Sequence, residues 1–184
     1  MTKSDLFYIL ERSPVIAAVR DDNFEDALSS SAEIIFYLKA NLLTVKNRVL
    51  AAINSGKIIF IHIDLAEGIA KDQTGIKFLA NIGVHGIIST RSHLIKSANE
   101  EGLITVQRLF ALDSQGINNV REIMGSADFI EIMPGVIPKV IEKFVKTNGD
   151  IIAGGLIETK DEVITALKLG AIAVSTGKTH LWEL

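Results

Sequence analysis

The sequence has no cysteine, which excludes disulfides, thiolate catalysis and iron–sulfur ligation and suits a reducing, cytoplasmic compartment. No apolar run approaches the roughly 18–20 residues of a membrane span, although hydrophobic residues make up 48% of the chain. Parallel sheets buried on both faces produce that composition without lipid. The N-terminal segment offers only the apolar stretch Leu6–Leu10, broken by Glu11 and Arg12, which is not a signal-peptide pattern. Basic charge is not in excess either. The formal net charge is −3, which argues against a generally basic nucleic-acid binder and confines any RNA contact to a local patch. His62, His85, His93 and His180 lack metal-ligand spacing. No linker, low-complexity tract or strong repeat divides the 184 residues, so one domain over 1–184 is expected.

What is present is a succession of short Ile- and Val-rich runs separated by amphipathic stretches. Strands are expected at Val15–Arg20, Ile34–Lys39, Ile58–Asp64, Gly86–Thr90, Leu103–Arg108, Phe129–Met133, Ile151–Gly154 and Ala171–Ser175. They lack period-two alternation, as strands covered on both faces do. Helices are expected at Leu42–Asn54, Gly75–Asn81, Ser92–Glu100, Ile117–Met124, Pro138–Lys146 and Thr159–Leu169, with little more than a turn after Arg20. Asp113 and Ser114 offer N-caps, Pro138 fits a first helical turn, and Gly102 and Gly170 terminate helices. Eight β-then-α units predict a compact α/β fold, a (β/α)8 TIM-type barrel with short helices. The alternative is an open doubly wound sheet.

In such a barrel, ligands sit at the C-terminal ends of the strands. Polar residues cluster at those ends: Arg20, Lys39, His62, Asp64, Ser89, Gln107, Arg108 and Glu131, with Arg91 just beyond. The last two strands end in Gly154-Gly155 and Ser175-Thr176-Gly177. Glycine lets backbone amides approach an anion, and hydroxyls add donors, so this pair reads as a phosphate grip. His62 is either a ligand-pocket histidine or a core histidine satisfied by a neighbour. Glu131, in an otherwise apolar run, wants a cation and Arg108 is the expected partner; structural ion pair and acid–base group both fit. Arg20 and Arg91 suit anion binding, although Arg91 equally suits backbone capping. Asp64, Glu67 and Glu131 would hold Mg²⁺ if they converged; no other cofactor is expected. Gly177-Lys178-Thr179 resembles the end of a P-loop, but Ile172 occupies the required glycine position. The stripe Lys139, Lys143, Lys146 reads as a solvated basic face.

These segments carry a resemblance. Phe60-Ile61-His62-Ile63-Asp64-Leu65, Gly86-Ile87-Ile88-Ser89-Thr90-Arg91-Ser92, and Val106-Gln107-Arg108-Leu109-Phe110 followed by Leu112-Asp113-Ser114 resemble glycerol uptake operon antiterminator regulatory proteins. So do Ile130-Glu131-Ile132-Met133-Pro134-Gly135, Ile152-Ala153-Gly154-Gly155-Leu156-Ile157, Ala173-Val174-Ser175-Thr176 and the opening Pro14–Arg20 segment. The resemblance implies a bacterial, cytoplasmic barrel that responds to glycerol 3-phosphate and acts on the leader mRNA of glycerol-utilisation transcripts. Its partners would be a small phosphorylated ligand and RNA, with no membrane and a homo-oligomer left open. Gly154, Gly155, Ser175, Thr176 and Gly177 would hold the phosphate, with Arg20, Arg91 or Arg108 adding charge. His62, Asp64, Gln107 and Glu131 would read the glycerol end, and Asp64–Lys71 is the expected moving loop. The competing reading is a small barrel lyase or isomerase acting on a sugar or triose phosphate, with Lys39 as a Schiff-base amine.

Overall fold

The computed structural model describes residues 1–111 and 127–184. Eight parallel strands close into a barrel in chain order: β1 Val15–Val19, β2 Ile34–Tyr37, β3 Ile58–His62, β4 Gly86–Ser89, β5 Ile104–Phe110, β6 Phe129–Met133, β7 Ile151–Gly154 and β8 Ala173–Thr176. β8 returns to pair with β1, Val15 opposite Val174. Around them lie α1 Lys3–Arg12, α2 Phe24–Ser29, α3 Val45–Asn54, α4 Gln73–Asn81, α5 Ser92–Glu100, α6 Pro138–Asn148 and α7 Lys160–Lys168. The expected helix Ile117–Met124 and the caps Asp113 and Ser114 lie outside the described residues.

Strand alternation splits the apolar side chains into two cores. Ile16, Ile34, Phe36, Phe60, Ile88, Val106, Phe129 and Ile152 fill the barrel. Val15, Ala17, Ile35, Ile59, Ile61, Ile87, Ile130 and Val174 pack outward under the helices. Both faces are therefore dry, which is why the sequence shows apolar runs and no alternation. The helices start where their caps dictate. Asp72 accepts from the Gly75 amide at 3.0 Å ahead of α4, and Thr159 and Glu162 form a reciprocal capping box on α7. Gly102 and Gly170 follow α5 and α7 at φ 72° and 99°, the left-handed geometry that ends a helix.

The structure departs from expectation in three places. β1 to β4 stop one or two residues earlier at their C-terminal ends, so Arg20, Lys39, Asp64 and Thr90 fall in the loops, whereas β5 runs on to Phe110 and β8 to Thr176. Single 3-10 turns at Asp21–Asn23 and Ile63–Leu65 carry the chain away from β1 and β3. α3 begins at Val45 rather than Leu42. The third departure is α1, which the sequence reading took as an apolar stretch. Thr2 and Asp5 cap it reciprocally, and Leu6 and Leu10, one turn apart on one face, are buried in the barrel-interior core. Lys3 pairs with Asp150 at 2.8 Å, just before β7, and Arg12 with Glu33 at 2.7 Å, just before β2. α1 thus closes the end of the barrel where the strands begin.

Candidate functional site

At the opposite end, the inward positions change character. Continuing the register from Phe60, Val106, Phe129, Ile152 and Ala173, the next inward residues are His62, Arg108, Glu131, Gly154 and Ser175. Glu131 on β6 is 1% exposed and Arg108 on β5 is 7% exposed, so neither charge is solvated and each needs the other. Arg108 Nε donates to Glu131 Oε2 at 2.6 Å, the ion pair anticipated from the sequence. Ser175 Oγ donates to Glu131 Oε1 at 2.5 Å. Gly154 completes this floor by having no side chain: a Cβ there would lie 2.5 Å from Glu131 Oε1 and 2.6 Å from Ser175 Oγ.

His62 on β3 stands behind Arg108. Its Nδ1 lies 3.5 Å from Arg108 Nη1. Because a guanidinium only donates, Nδ1 accepts and the proton sits on Nε2. Nε2 points at Asp64 Oδ2, 3.6 Å away, and has no hydrogen-bond partner among the described residues. Asp64 is occupied by its own side of the barrel. It accepts from Ser89 Oγ at 2.7 Å, the Thr90 amide at 2.7 Å and Thr90 Oγ1 at 2.8 Å. Burial alone would push this carboxyl up. His62 and the three donors outweigh it and hold the group well below its ordinary 3.8. Asp64 therefore fastens the loop after β3 to the end of β4, with Arg91 Nε 3.9 Å away.

Above the floor lies a cavity of about 300 Å³ lined by Ala18, Arg20, Leu38, Met133, Leu156 and Gly177 together with Arg108, Glu131 and Ser175. Its rim is the loop after β7 and the loop after β8. Gly155 and Leu156 both have positive φ, 75° and 61°. Leu156 does so without glycine's freedom and is exposed, a cost of about 1–2 kcal/mol for an L-residue. Gly155, Leu156 and Gly177 line the cavity, and backbone amides in such turns suit an anion. The amides of Gly155, Leu156 and Gly177 donate to no backbone carbonyl among the described residues. Thr176 faces the other way and ties the two rim loops together, donating to Ile157 O at 2.7 Å and accepting from the Lys178 amide at 3.1 Å. Trp182 Nε1 donates to Thr176 O at 2.8 Å. Arg20 is exposed at the rim, without an ion pair among the described residues. Its loop is fixed by Asn23, which accepts from the Arg20 amide at 2.8 Å, and by Asp21, which accepts from buried Tyr37 Oη at 2.5 Å.

The structure thus gathers Arg20, Arg108, Glu131, Gly155, Ser175, Thr176 and Gly177 around one cavity, with Gly154 and His62 directly behind it. Gln107 and Ser89 do not face it. Both are outward positions: Gln107 Nε2 donates to Ser92 of α5 at 3.2 Å, and Ser89 serves Asp64 and the Arg91 amide. The carboxylates considered for Mg²⁺ do not converge. Glu67 pairs with Lys39 at 2.9 Å, Asp64 with Ser89 and Thr90, and Glu131 with Arg108; among the described residues no group of three potential ligands is placed for a metal. Lys39 is exposed and ion-paired, and no lysine is buried among the described residues. Sequence reasoning missed Leu38, Met133 and Leu156. The first two are apolar and look like any core residue, and the third contributes backbone rather than side chain.

Comparison with known proteins gives the family and supports the fold. Residues 15–182 match the family described as Glycerol-3-phosphate responsive antiterminator. An Escherichia coli K12 protein named Uncharacterized protein YgcP is 37% identical, covering 97% of this chain and 96% of that one. The crystal structure of a glycerol uptake operon antiterminator regulatory protein from Listeria monocytogenes superposes with a TM-score of 0.84 at 34% identity, covering 91% of this chain and 94% of that one. A glycerol uptake operon antiterminator-related protein from Thermotoga maritima gives 0.82 at 29% identity, covering 94% and 99%. The chain belongs to the glycerol-3-phosphate responsive antiterminator family.

Proposed function

We propose that this chain is a glycerol 3-phosphate-responsive regulator whose effector occupies the cavity at the C-terminal mouth and which acts on the leader mRNA of glycerol-utilisation transcripts. The observation that carries the reading is the pairing of an anion-receptive rim with a buried polar floor. The phosphate meets the amides of Gly155, Leu156 and Gly177 and the unpaired Arg20. The glycerol end descends to Arg108, Glu131 and Ser175. A lyase working through a Schiff base needs a desolvated amine at the site; burial lowers the pKa of half-buried Lys57 and Lys71, but neither lines the cavity. The regulator reading also agrees with the family and with the antiterminator regulatory and antiterminator-related proteins whose structures this chain resembles.

Ligand control of RNA requires the ligand to bind two conformations unequally, and a coupling of about 1–3 kcal/mol is enough for a switch. The loop from Asp64 to Lys71 is held along its length: Asp64 bonds Ser89 and Thr90, Glu67 pairs with Lys39 and Asn41, and Lys71 Nζ caps the carbonyls of Ala66 and Ile69. Release of these contacts on ligand binding would make that loop the switch. The test is calorimetric titration of the purified chain with glycerol 3-phosphate, followed by phosphorus NMR over hours and leader-RNA binding with and without ligand. Saturable binding, an unchanged phosphorus spectrum and ligand-dependent RNA affinity are expected. A new phosphorus signal would instead establish turnover and replace the regulator reading.

A further inference from the structure

Charge is spread unevenly around the barrel, and the unevenness marks one side for a polyanion. The chain carries a net charge of −3, yet two stretches hold basic residues and no acid. Val45 to Lys57 contains Lys46, Arg48 and Lys57; Gln73 to Asn99 contains Lys77, Arg91 and Lys96. They build α3, α4 and most of α5, which follow one another around the barrel, with α4 packed against α5. The stretch that builds α2 has the opposite composition: Asp21, Asp22, Glu25, Asp26 and Glu33 with no basic residue between them. Arg48 turns to that side and pairs with Glu25 and Asp21, and Lys57 is spent on the carbonyls of Ser30 and Ala32. Lys46, Lys77 and Lys96 remain exposed, with no ion pair among the described residues. The stripe Lys139, Lys143, Lys146 on α6 is less open to a polyanion, because Glu142 stands within it, 3.8 Å from Lys146.

The same side offers a seat for a flat ring. On α4, Gln73, Thr74, Lys77 and Asn81 line a shallow recess with the half-buried Phe78. Thr74 and Phe78 also line an apolar pocket of about 170 Å³ with Leu42, Gly68, Ile69 and Ala70. We infer that the leader RNA docks across α3, α4 and α5, with its phosphates on Lys46, Lys77 and Lys96 and an unpaired base against Phe78. This rests on the RNA-binding reading proposed above. Lysines neutralise phosphates without regard to sequence. An aromatic ring stacks on an unpaired base, and the amides of Gln73 and Asn81 can meet its edge. The pocket wall also ties this surface to the effector. Gly68, Ile69 and Ala70 belong to the loop that begins at Asp64, which faces His62 behind the effector cavity. An effector that moves this loop reshapes the RNA site without touching RNA.

The test is a fluorescence-anisotropy titration of labelled leader RNA from the glycerol-utilisation transcript with the full chain and glycerol 3-phosphate, repeated over a range of salt concentrations. Lys46→Glu, Lys77→Glu and Lys96→Glu combined should weaken RNA binding at least about tenfold and flatten the log–log salt slope by about two to three. Glycerol 3-phosphate affinity in calorimetry should stay within about twofold. Reversing Lys139, Lys143 and Lys146 on α6 changes the net charge equally and should cost RNA less than about threefold. Phe78→Leu keeps the pocket apolar and should weaken RNA by about fivefold or more with the salt slope unchanged. The exposed lysines decide the matter if that variant does not fold. Wild-type RNA affinity in the α3–α5 lysine variant or in folded Phe78→Leu overturns the inference, as does an equal loss from the α6 reversal; each leaves the regulator reading standing. Failure of the wild-type chain to bind leader RNA with or without glycerol 3-phosphate overturns the regulator reading and this inference with it.

Discussion

The two ends of this barrel are built by the same strands and do opposite jobs. Where the strands begin, Leu6 and Leu10 of α1 sit against Ile34, Phe60, Ile104 and Phe129, all buried and apolar. Further along, the inward residues become His62, Arg108, Glu131, Gly154 and Ser175. The closed end gains stability from burying hydrocarbon, at about 25 cal/mol per Å². The open end spends stability on two desolvated charges whose mutual attraction at best offsets their burial. Because each strand contributes to both ends, ligand recognition can be altered at one set of positions while the other set holds the fold.

Substitutions can break this division at either end. The largest effect is expected from Glu131→Ala, which leaves Arg108 buried without a counter-ion and should cost about 3–5 kcal/mol in urea unfolding. Replacing both members, Arg108→Met with Glu131→Leu, should recover most of that loss without restoring ligand binding. At the closed end, Leu6→Ala should cost about 2–5 kcal/mol and leave glycerol 3-phosphate affinity within about twofold of wild type. A matching fall in affinity would show that the ends are coupled. Gly154→Ala pushes a methyl group against Glu131 and Ser175 and should weaken the same ligand by about tenfold, or ~1.4 kcal/mol, in calorimetry.

Two smaller effects concern the loops. Asp64 is held below its ordinary 3.8 in the folded state, so its contribution to stability is present above that value and is lost as pH falls below it. The urea midpoint of Asp64→Asn should therefore fall less steeply than that of wild type on acidification below about pH 4. An identical slope would mean that Asp64 does not carry the acid sensitivity. The smallest effect is expected for Leu156→Gly. Relief of its left-handed backbone, φ 61°, offsets the added unfolded-state freedom of glycine, leaving stability within about 1 kcal/mol. Phosphate affinity should persist, because the proposed site uses the Leu156 amide rather than its side chain.

The barrel was legible because each Ile- and Val-rich run is one strand. Phe129–Met133 and Ile151–Gly154 are placed to the residue, and the Arg108–Glu131 pair followed from two charges in apolar runs. The direction of each polar residue was less legible. Thr105, Gln107 and Arg108 stand together in β5; Thr105 bonds Asn99 and Asp128, and Gln107 bonds Ser92, all outside the barrel, while Arg108 turns in. With both faces covered, polarity alone does not reveal the parity; the register with β6 does. The helix α1 was missed because its fully buried residues are only Leu6 and Leu10, with Phe7 and Ile9 partly buried beside them. Its start signal, Thr2 with Asp5 at the third helical position, uses aspartate where a capping box usually has Glu or Gln. Leu156 carried no signal, since its role lies in a backbone angle.

The central claim is that a phosphorylated ligand enters only at the end where the strands stop. Amide and arginine side-chain NMR of the 20.0 kDa chain, titrated with glycerol 3-phosphate, tests it most directly. The account predicts saturable shifts at the Gly155, Leu156 and Gly177 amides and at Arg108 Nε, with α1 unmoved. Shifts centred on α1 or the outer helices, with Gly155 and Gly177 unchanged, would contradict it.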